Sequence, residues 1–146
     1  MNMRPIEILL VEDNPGDARL TVELLKEGKL TNNISVVTDG VEALEYLRCE
    51  GKHGDAVLPD LILLDLNLPR MDGREVLRNI KEDPELKHIP VVILSTSAAH
   101  TDIEQSYEAH ANCYVTKPVD LDKFIKVVQA FNEFWLTTVM LPRQAA

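Results

Sequence analysis

Apolar residues in this chain follow two rhythms that alternate. Short unbroken runs read as strands buried on both faces, and stretches with apolar positions three or four apart read as amphipathic helices. Ile6 to Val11 is the first such run, near-continuous and interrupted only by Glu7. Asn14 then offers a helix N-cap, Pro15 suits the first helical position, and Asp17 falls in the first turn. Leu20, Leu24 and Leu25 predict that helix's apolar stripe, and Gly28 its C-cap. Ile34 to Thr38 predicts a second strand. Asp39 and Glu42 follow at capping-box spacing, ahead of inward-facing Ala43, Leu44 and Leu47. Residues 50–55 are polar and predict a loop. Leu61 to Leu64 predicts a third strand that ends at Asp65. Asp72 and Glu75 repeat the cap spacing before Val76, Leu77 and Ile80, and Pro84 marks that helix's end. A β-branched run from Ile89 to Leu94 stops at Ser95. Thr101 and Glu104 predict a further capped helix through Tyr107. Cys113 to Thr116 predicts a last short strand, closed by Lys117 and Pro118. Asp120 caps a final helix whose inner stripe is Leu121, Phe124, Ile125, Val128 and Phe131.

Strand and helix alternate throughout, which predicts an α/β domain with a parallel sheet covered on both faces. In such a sheet the carboxyl ends of the strands line one crevice. Glu12, Asp13, Asp65, Ser95 and Lys117 each sit at or just beyond a strand end, so they are expected to meet there. Crowded carboxylates repel unless a cation joins them, so the set predicts a divalent metal site beside a nucleophilic carboxylate. Asp65 is the expected nucleophile, since a carboxylate can accept a phosphoryl group as an acyl phosphate. Glu12 and Asp13 are expected to hold Mg²⁺, with the backbone carbonyl of Asn67 as a further oxygen. Lys117 supplies a fixed positive charge, and Pro118 after it is a place for a cis bond. Ser95 can donate to a phosphoryl oxygen. Each residue alone has a plainer explanation. Asp13 suits a helix entrance through the macrodipole, Asp65 suits a turn before Pro69, and Ser95 can bond its own backbone. The functional reading rests on their shared side of the sheet.

The bulk properties narrow the function further. A chain of 146 residues with 45% hydrophobic residues fits one domain with a full core. Its net charge of -9 argues against a nucleic-acid surface, which needs a basic face, and against anionic membranes. Cys49 and Cys113 have no metal-ligand spacing and read as semi-buried free thiols. Residues 1–5 carry no apolar signal segment, and no apolar run approaches the length of a membrane span, so a cytoplasmic protein is expected.

The segments Ile8-Leu9-Leu10-Val11-Glu12-Asp13, Leu63-Leu64-Asp65-Leu66-Asn67-Leu68-Pro69, Met71-Asp72-Gly73 and Tyr114-Val115-Thr116-Lys117-Pro118 together resemble the receiver domains of two-component response regulators. The resemblance implies a flavodoxin-like, doubly wound five-stranded sheet of order 2-1-3-4-5. It implies that Asp65 accepts a phosphoryl group from a histidine kinase, and that Glu12, Asp13, Asp65 and the Asn67 carbonyl bind Mg²⁺. Ser95 resembles the family's switch hydroxyl and Tyr114 its switch aromatic. Thr96 departs from the usual Ala or Gly and would narrow access to the phosphoryl group. A closer resemblance, carried by residues 67–77, by Asn112-Cys113-Tyr114 and by the tail Phe134-Trp135-Leu136, is to single-domain regulators that partner cyanobacterial phytochrome-type kinases.

On this reading residues 1–132 form the receiver domain, and residues 133–146 are an extension with no separate output domain. Output is then contact with another protein. Val127, Ala130 and Phe134 add a second apolar strip to the last helix, and Trp135 and Leu136 continue it. Val127, Phe134, Trp135 and Leu136 therefore predict a homodimer interface. The protein is expected not to be an enzyme in the turnover sense. Two alternatives compete: a binding module independent of phosphorylation, and a haloacid dehalogenase-type phosphatase with an aspartyl nucleophile. The phosphatase needs a second acid where Asn67 stands, and Asn cannot fill that role.

Overall fold

The short apolar-rich runs pair side by side, and the periodic stretches wind into the helices that cover them. A computed structural model describes residues 5–27, 32–117, 122–124, 126–127 and 130. Its elements are β1 (Ile6–Val11), α1 (Pro15–Glu27), β2 (Asn32–Val37), α2 (Gly40–Leu47), β3 (Leu61–Asp65), α3 (Gly73–Glu82), β4 (Val91–Ser95), α4 (His100–Glu108) and β5 (Cys113–Thr116). The strands form one parallel sheet of order β2-β1-β3-β4-β5, as expected.

Successive side chains of a strand point to opposite faces, and the core divides accordingly. Leu9, Val11, Ile62, Leu64, Val91 and Ile93 face α2 and α3, where they meet Leu44, Val76, Leu77 and Ile80. Ile6, Ile8, Leu10, Leu61, Leu63, Val92 and Leu94 face the other way, onto Leu24, Leu25 and Phe124. Each such side chain contributes about 1.5–3 kcal/mol when fully buried. The register aligns the carboxyl ends: Val11 pairs with Leu64, Asp65 with Leu94, and Ser95 with Thr116.

Several local expectations need correction. Leu20 is exposed at 49%, and Thr21 takes the buried place, its hydroxyl donating to the Asp17 carbonyl. The inner stripe of α1 thus differs at one position, with Leu24 and Leu25 buried as expected. β2 begins at Asn32 rather than Ile34. β4 begins at Val91 rather than Ile89, because Pro90 has no N–H for the ladder, although its carbonyl accepts from Ile62. The loop at 50–55 contains a 3-10 turn, Gly51–His53. Asp39 caps α2 at the Glu42 N–H as expected, but Glu42 turns to Lys52 and His53. Asp72 caps α3 at the Arg74 N–H. The Thr101 cap fails: α4 starts after Ala99, Thr101 is exposed in its first turn, and Ser97 Oγ accepts the Ala99 N–H instead.

Two close approaches fix where α3 sits, one of them at the crevice. A Cβ on Gly73 would lie 2.1 Å from the Asp65 carbonyl oxygen, so only glycine lets the start of α3 press against the end of β3. The Gly73 N–H donates to the Leu66 carbonyl there. On the opposite side of the domain, Lys81 Nζ donates to the carbonyls of Ile89 (2.8 Å) and Lys87 (3.2 Å) and to Asn112 Oδ1 (3.2 Å). Asn112 Oδ1 also accepts the Val91 N–H. This staple holds α3 against the entrances of β4 and β5.

Cys49 is exposed in a left-handed turn (φ 54), contrary to the semi-buried expectation, while Cys113 is half-buried as expected. Residues 122–124, 126–127 and 130 are helical; Phe124 is buried, Val127 packs partly buried beside it, and Ala130 is exposed. Val127 therefore leans toward the sheet, away from the outward strip expected of it. Gly28, Pro118, Asp120, Leu121, Ile125, Val128, Phe131, Phe134, Trp135 and Leu136 lie outside the described residues. No helix among the described residues is long and apolar enough to cross a membrane.

Candidate functional site

β1 delivers Glu12 and Asp13, and β3 delivers Asp65, to the same end of the sheet. Carboxylate oxygens of all three lie within 4.8 Å of one another. Glu12 and Asp65 are buried, and Asp13 is exposed at the mouth. At an effective dielectric of ~20, two charges at that spacing repel by about 3 kcal/mol. Folding therefore gathers charges that would separate if nothing positive joined them.

Lys117 supplies part of the compensation. Its Nζ is in close contact with Glu12 Oε1, and donates to Asp17 Oδ2 at 3.2 Å and Asp65 Oδ2 at 3.3 Å. Its backbone is set by its N–H, which donates to the Ser95 carbonyl at 2.7 Å. Burial acts to lower the Lys117 pKa, but the contact with Glu12 and the charges of Asp65 and Asp17 outweigh it and hold the ammonium above its ordinary range. Burial first, and then the contact with Asp65, push the Glu12 carboxyl up to about 7, with Lys117 pulling the other way. Three acids around one lysine leave the cluster short of positive charge.

The remaining expected residues take these places. Asn67 is exposed at the rim, and its N–H donates to Asp65 Oδ1 at 3.1 Å. Ser95 is fully buried beside the cluster, and its Oγ accepts the Ser97 N–H at 3.1 Å. Thr96 is exposed. Tyr114 is half-buried, and its hydroxyl donates to the Ser97 carbonyl at 2.7 Å. Asp17, expected only as a first-turn acid, is a direct partner of Lys117.

The donor set is all oxygen and anionic, with two ligands fixed by burial and one open to solvent. That suits a hard divalent cation which keeps some of its water, and does not suit zinc or copper, which favour nitrogen or sulfur. A carboxylate so placed, with a lysine on its other side, has the parts needed to hold a phosphoryl group.

The family model for the response regulator receiver domain matches residues 8–129. The chain belongs to that family. It is similar to the response regulator Rcp1 of Synechocystis sp., at 49% identity over 138 residues covering 94% of each chain. Among solved structures it is similar to the phosphorylated cyanobacterial phytochrome response regulator RcpA (52% identity, TM-score 0.81, covering 95% of this chain and 99% of that one). It is likewise similar to the Mn(2+)-bound form of Rcp1 (48% identity, TM-score 0.80, covering 94% and 99%). Receiver domains are signalling modules that bind a divalent metal in an acidic pocket, and Glu12, Asp13 and Asp65 form such a pocket here.

Proposed function

We propose that this protein is a phosphoacceptor of two-component signalling, and that Asp65 is the residue that takes the phosphoryl group. The observation that carries the reading is the convergence of Glu12, Asp13 and Lys117 on the Asp65 carboxylate. An Asp65 oxygen attacks the phosphorus of a kinase phosphohistidine. The P–N bond breaks, its electron pair stays on the imidazole, which takes up a proton, and an aspartyl phosphate remains. Glu12, Asp13, Asp65 and the Asn67 carbonyl would hold Mg²⁺, which when bound neutralises phosphoryl oxygens and holds them in line. Lys117 moves from Asp65 to a phosphoryl oxygen, and Ser95 donates its hydroxyl to another. The protein's own part is thus positioning and charge neutralisation, with no substrate turned over.

A phytochrome-type sensor kinase is the proposed donor, on the strength of the likeness to RcpA across 95% of this chain. Output is proposed to pass through protein contacts altered when Ser95 and Tyr114 move together. A homodimer built on the last helix and residues 133–146 is the proposed assembly. Truncation after Asn132 should leave a folded monomer by sedimentation, and a truncated dimer would locate the interface elsewhere.

The direct test is intact mass after incubation with Mg²⁺ and a small phosphodonor. Wild type gains one phosphoryl group and Asp65→Asn gains none. A phosphorylated Asp65→Asn protein would overturn the assignment.

A further inference from the structure

Beside the acidic cluster, a line of polar contacts runs from α3 across the loop after β4 to β5. Arg74 Nη2 donates to Asp102 Oδ1 at 2.8 Å. Ser97 Oγ donates to the second oxygen, Asp102 Oδ2, at 2.7 Å. The same Oγ accepts the Ala99 N–H at 3.2 Å. The Ser97 N–H donates to Ser95 Oγ, and the Ser97 carbonyl accepts the Tyr114 hydroxyl. The amide, carbonyl and hydroxyl of Ser97 are therefore all engaged, and its neighbours include both residues of the proposed switch.

Each link orients the next. The carboxylate of Asp102 can only accept, so the Ser97 proton must point at it, and the Ser97 lone pairs are left for Ala99. Arg74 holds that carboxylate from the far side, and its own direction is set by Asp72 Oδ2 at 3.3 Å. Both ion-pair partners are partly buried, with side-chain exposures of 33% for Arg74 and 22% for Asp102. Charge-assisted bonds of this length are stronger than neutral ones. Arg74 also follows Gly73, whose N–H donates to the carbonyl of Leu66, the residue after Asp65, so the loop is tied to the helix end that abuts the proposed phosphoacceptor.

We propose that Arg74 and Asp102 are positioning residues that clasp Ser97, and so set how readily Ser95 and Tyr114 change position together. The clasp itself stands on the contacts above; its consequence for signalling rests on the reading of Asp65 as phosphoacceptor. Ser95 Oγ accepts the Ser97 N–H, so on moving toward Asp65 it either gives up that bond or carries the Ser97 backbone with it, and the clasp is the restraint on that backbone. It is a local bias on a two-state element.

The test uses the full chain with ring-¹³C tyrosine, in which Tyr114→Phe identifies the Tyr114 resonance. Asp102→Asn and Arg74→Gln should each move that resonance toward the free-tyrosine position. The double variant should move it no further than one substitution does, since contacts in one network are not additive. Arg74→Lys, which keeps a cation facing Asp102, should restore most of the wild-type position. With Mg²⁺ and a small phosphodonor, the variants should still gain a phosphoryl group, but the further Tyr114 shift on phosphorylation should shrink. An unmoved Tyr114 resonance in both single variants, or additive effects in the double variant, would overturn the clasp. Failure of wild type to gain a phosphoryl group overturns the role of Asp65 instead, and the clasp is then decided by the Tyr114 positions in unphosphorylated protein.

Discussion

Lys117 has three acidic partners and one charge, and this imbalance decides what substitutions in the cluster do. Asp65→Asn removes one repelling carboxylate while Glu12 and Asp17 still engage the lysine. In metal-free protein it should raise stability by about 1 kcal/mol, or about 2–4 °C in Tm for a chain of this size. Calorimetry checks the sign, and a lower Tm would mean that the Lys117–Asp65 pair outweighs the repulsion. Mg²⁺ should then stabilise wild type more than the variant. Glu12 yields a pH prediction. Its folded pKa is about 7 against 4.5 for the ordinary group, so between those values the folded state binds more protons than the unfolded. Stability from this group is full below about 4.5 and is lost as pH rises through 7. Urea midpoints of metal-free protein across that window should fall with pH, and Glu12→Gln should flatten the slope. The five strand-end residues were legible because strand ends of a parallel sheet share one level. Asp17 was not, because its place in the first turn of a helix already had a sufficient local reason. Arg74 and Asp102 carry no periodic signal that would join positions on different helices.

At the scale of elements, β1 and β5 match their expected limits residue for residue, because Pro5 and Glu12 bound the first run and Asn112 and Lys117 the last. The misjudged elements are those where a neighbour overrides local preference. Thr101 with Glu104 has cap spacing, yet the Ser97–Asp102 contact fixes the start of α4 earlier in the chain. Leu20 has stripe spacing with Leu24, yet the helix turns Thr21 inward. Gly73→Ala tests how closely α3 must approach β3. The added methyl has backbone, not a flexible side chain, as its nearest neighbour. Overpacking of this kind typically costs about 1–3 kcal/mol, and here it should also slow phosphorylation by displacing Asp65. Denaturant midpoints and phosphorylation rates measured together check both effects. The staple on the other side gives a second case. Asn112→Ala leaves the Val91 N–H and one Lys81 donor without an acceptor, and an unsatisfied buried group costs about 1–3 kcal/mol. A denaturant midpoint unchanged in that variant would show that water replaces the amide.

For the whole molecule, the order β2-β1-β3-β4-β5 reverses direction after the first crossover, and right-handed strand–helix–strand crossovers then place helices on both faces of the sheet. β2 and β5 become the edges, and β1, β3 and β4 the interior. The interior strands deliver Glu12, Asp13, Asp65 and Ser95, while the edge strand β5 delivers Lys117 and carries Tyr114. The order itself was expected from the family resemblance; apolar rhythm alone predicts a parallel sheet but does not rank its strands. That division of labour suits a signalling domain: chemistry at the centre, and readout at a margin where a side chain can move.

The two sulfurs differ in a way that makes one of them a clock. Burial pushes the Cys113 thiol above its ordinary pKa, with the Tyr114 backbone pulling weakly back, whereas Cys49 stands in solvent. Since the thiolate is the reacting species, a limiting dose of alkylating reagent should mark Cys49 first and leave Cys113 for later. Cys113 is the chain neighbour of Tyr114, so its second, slower labelling rate follows how often that margin loosens.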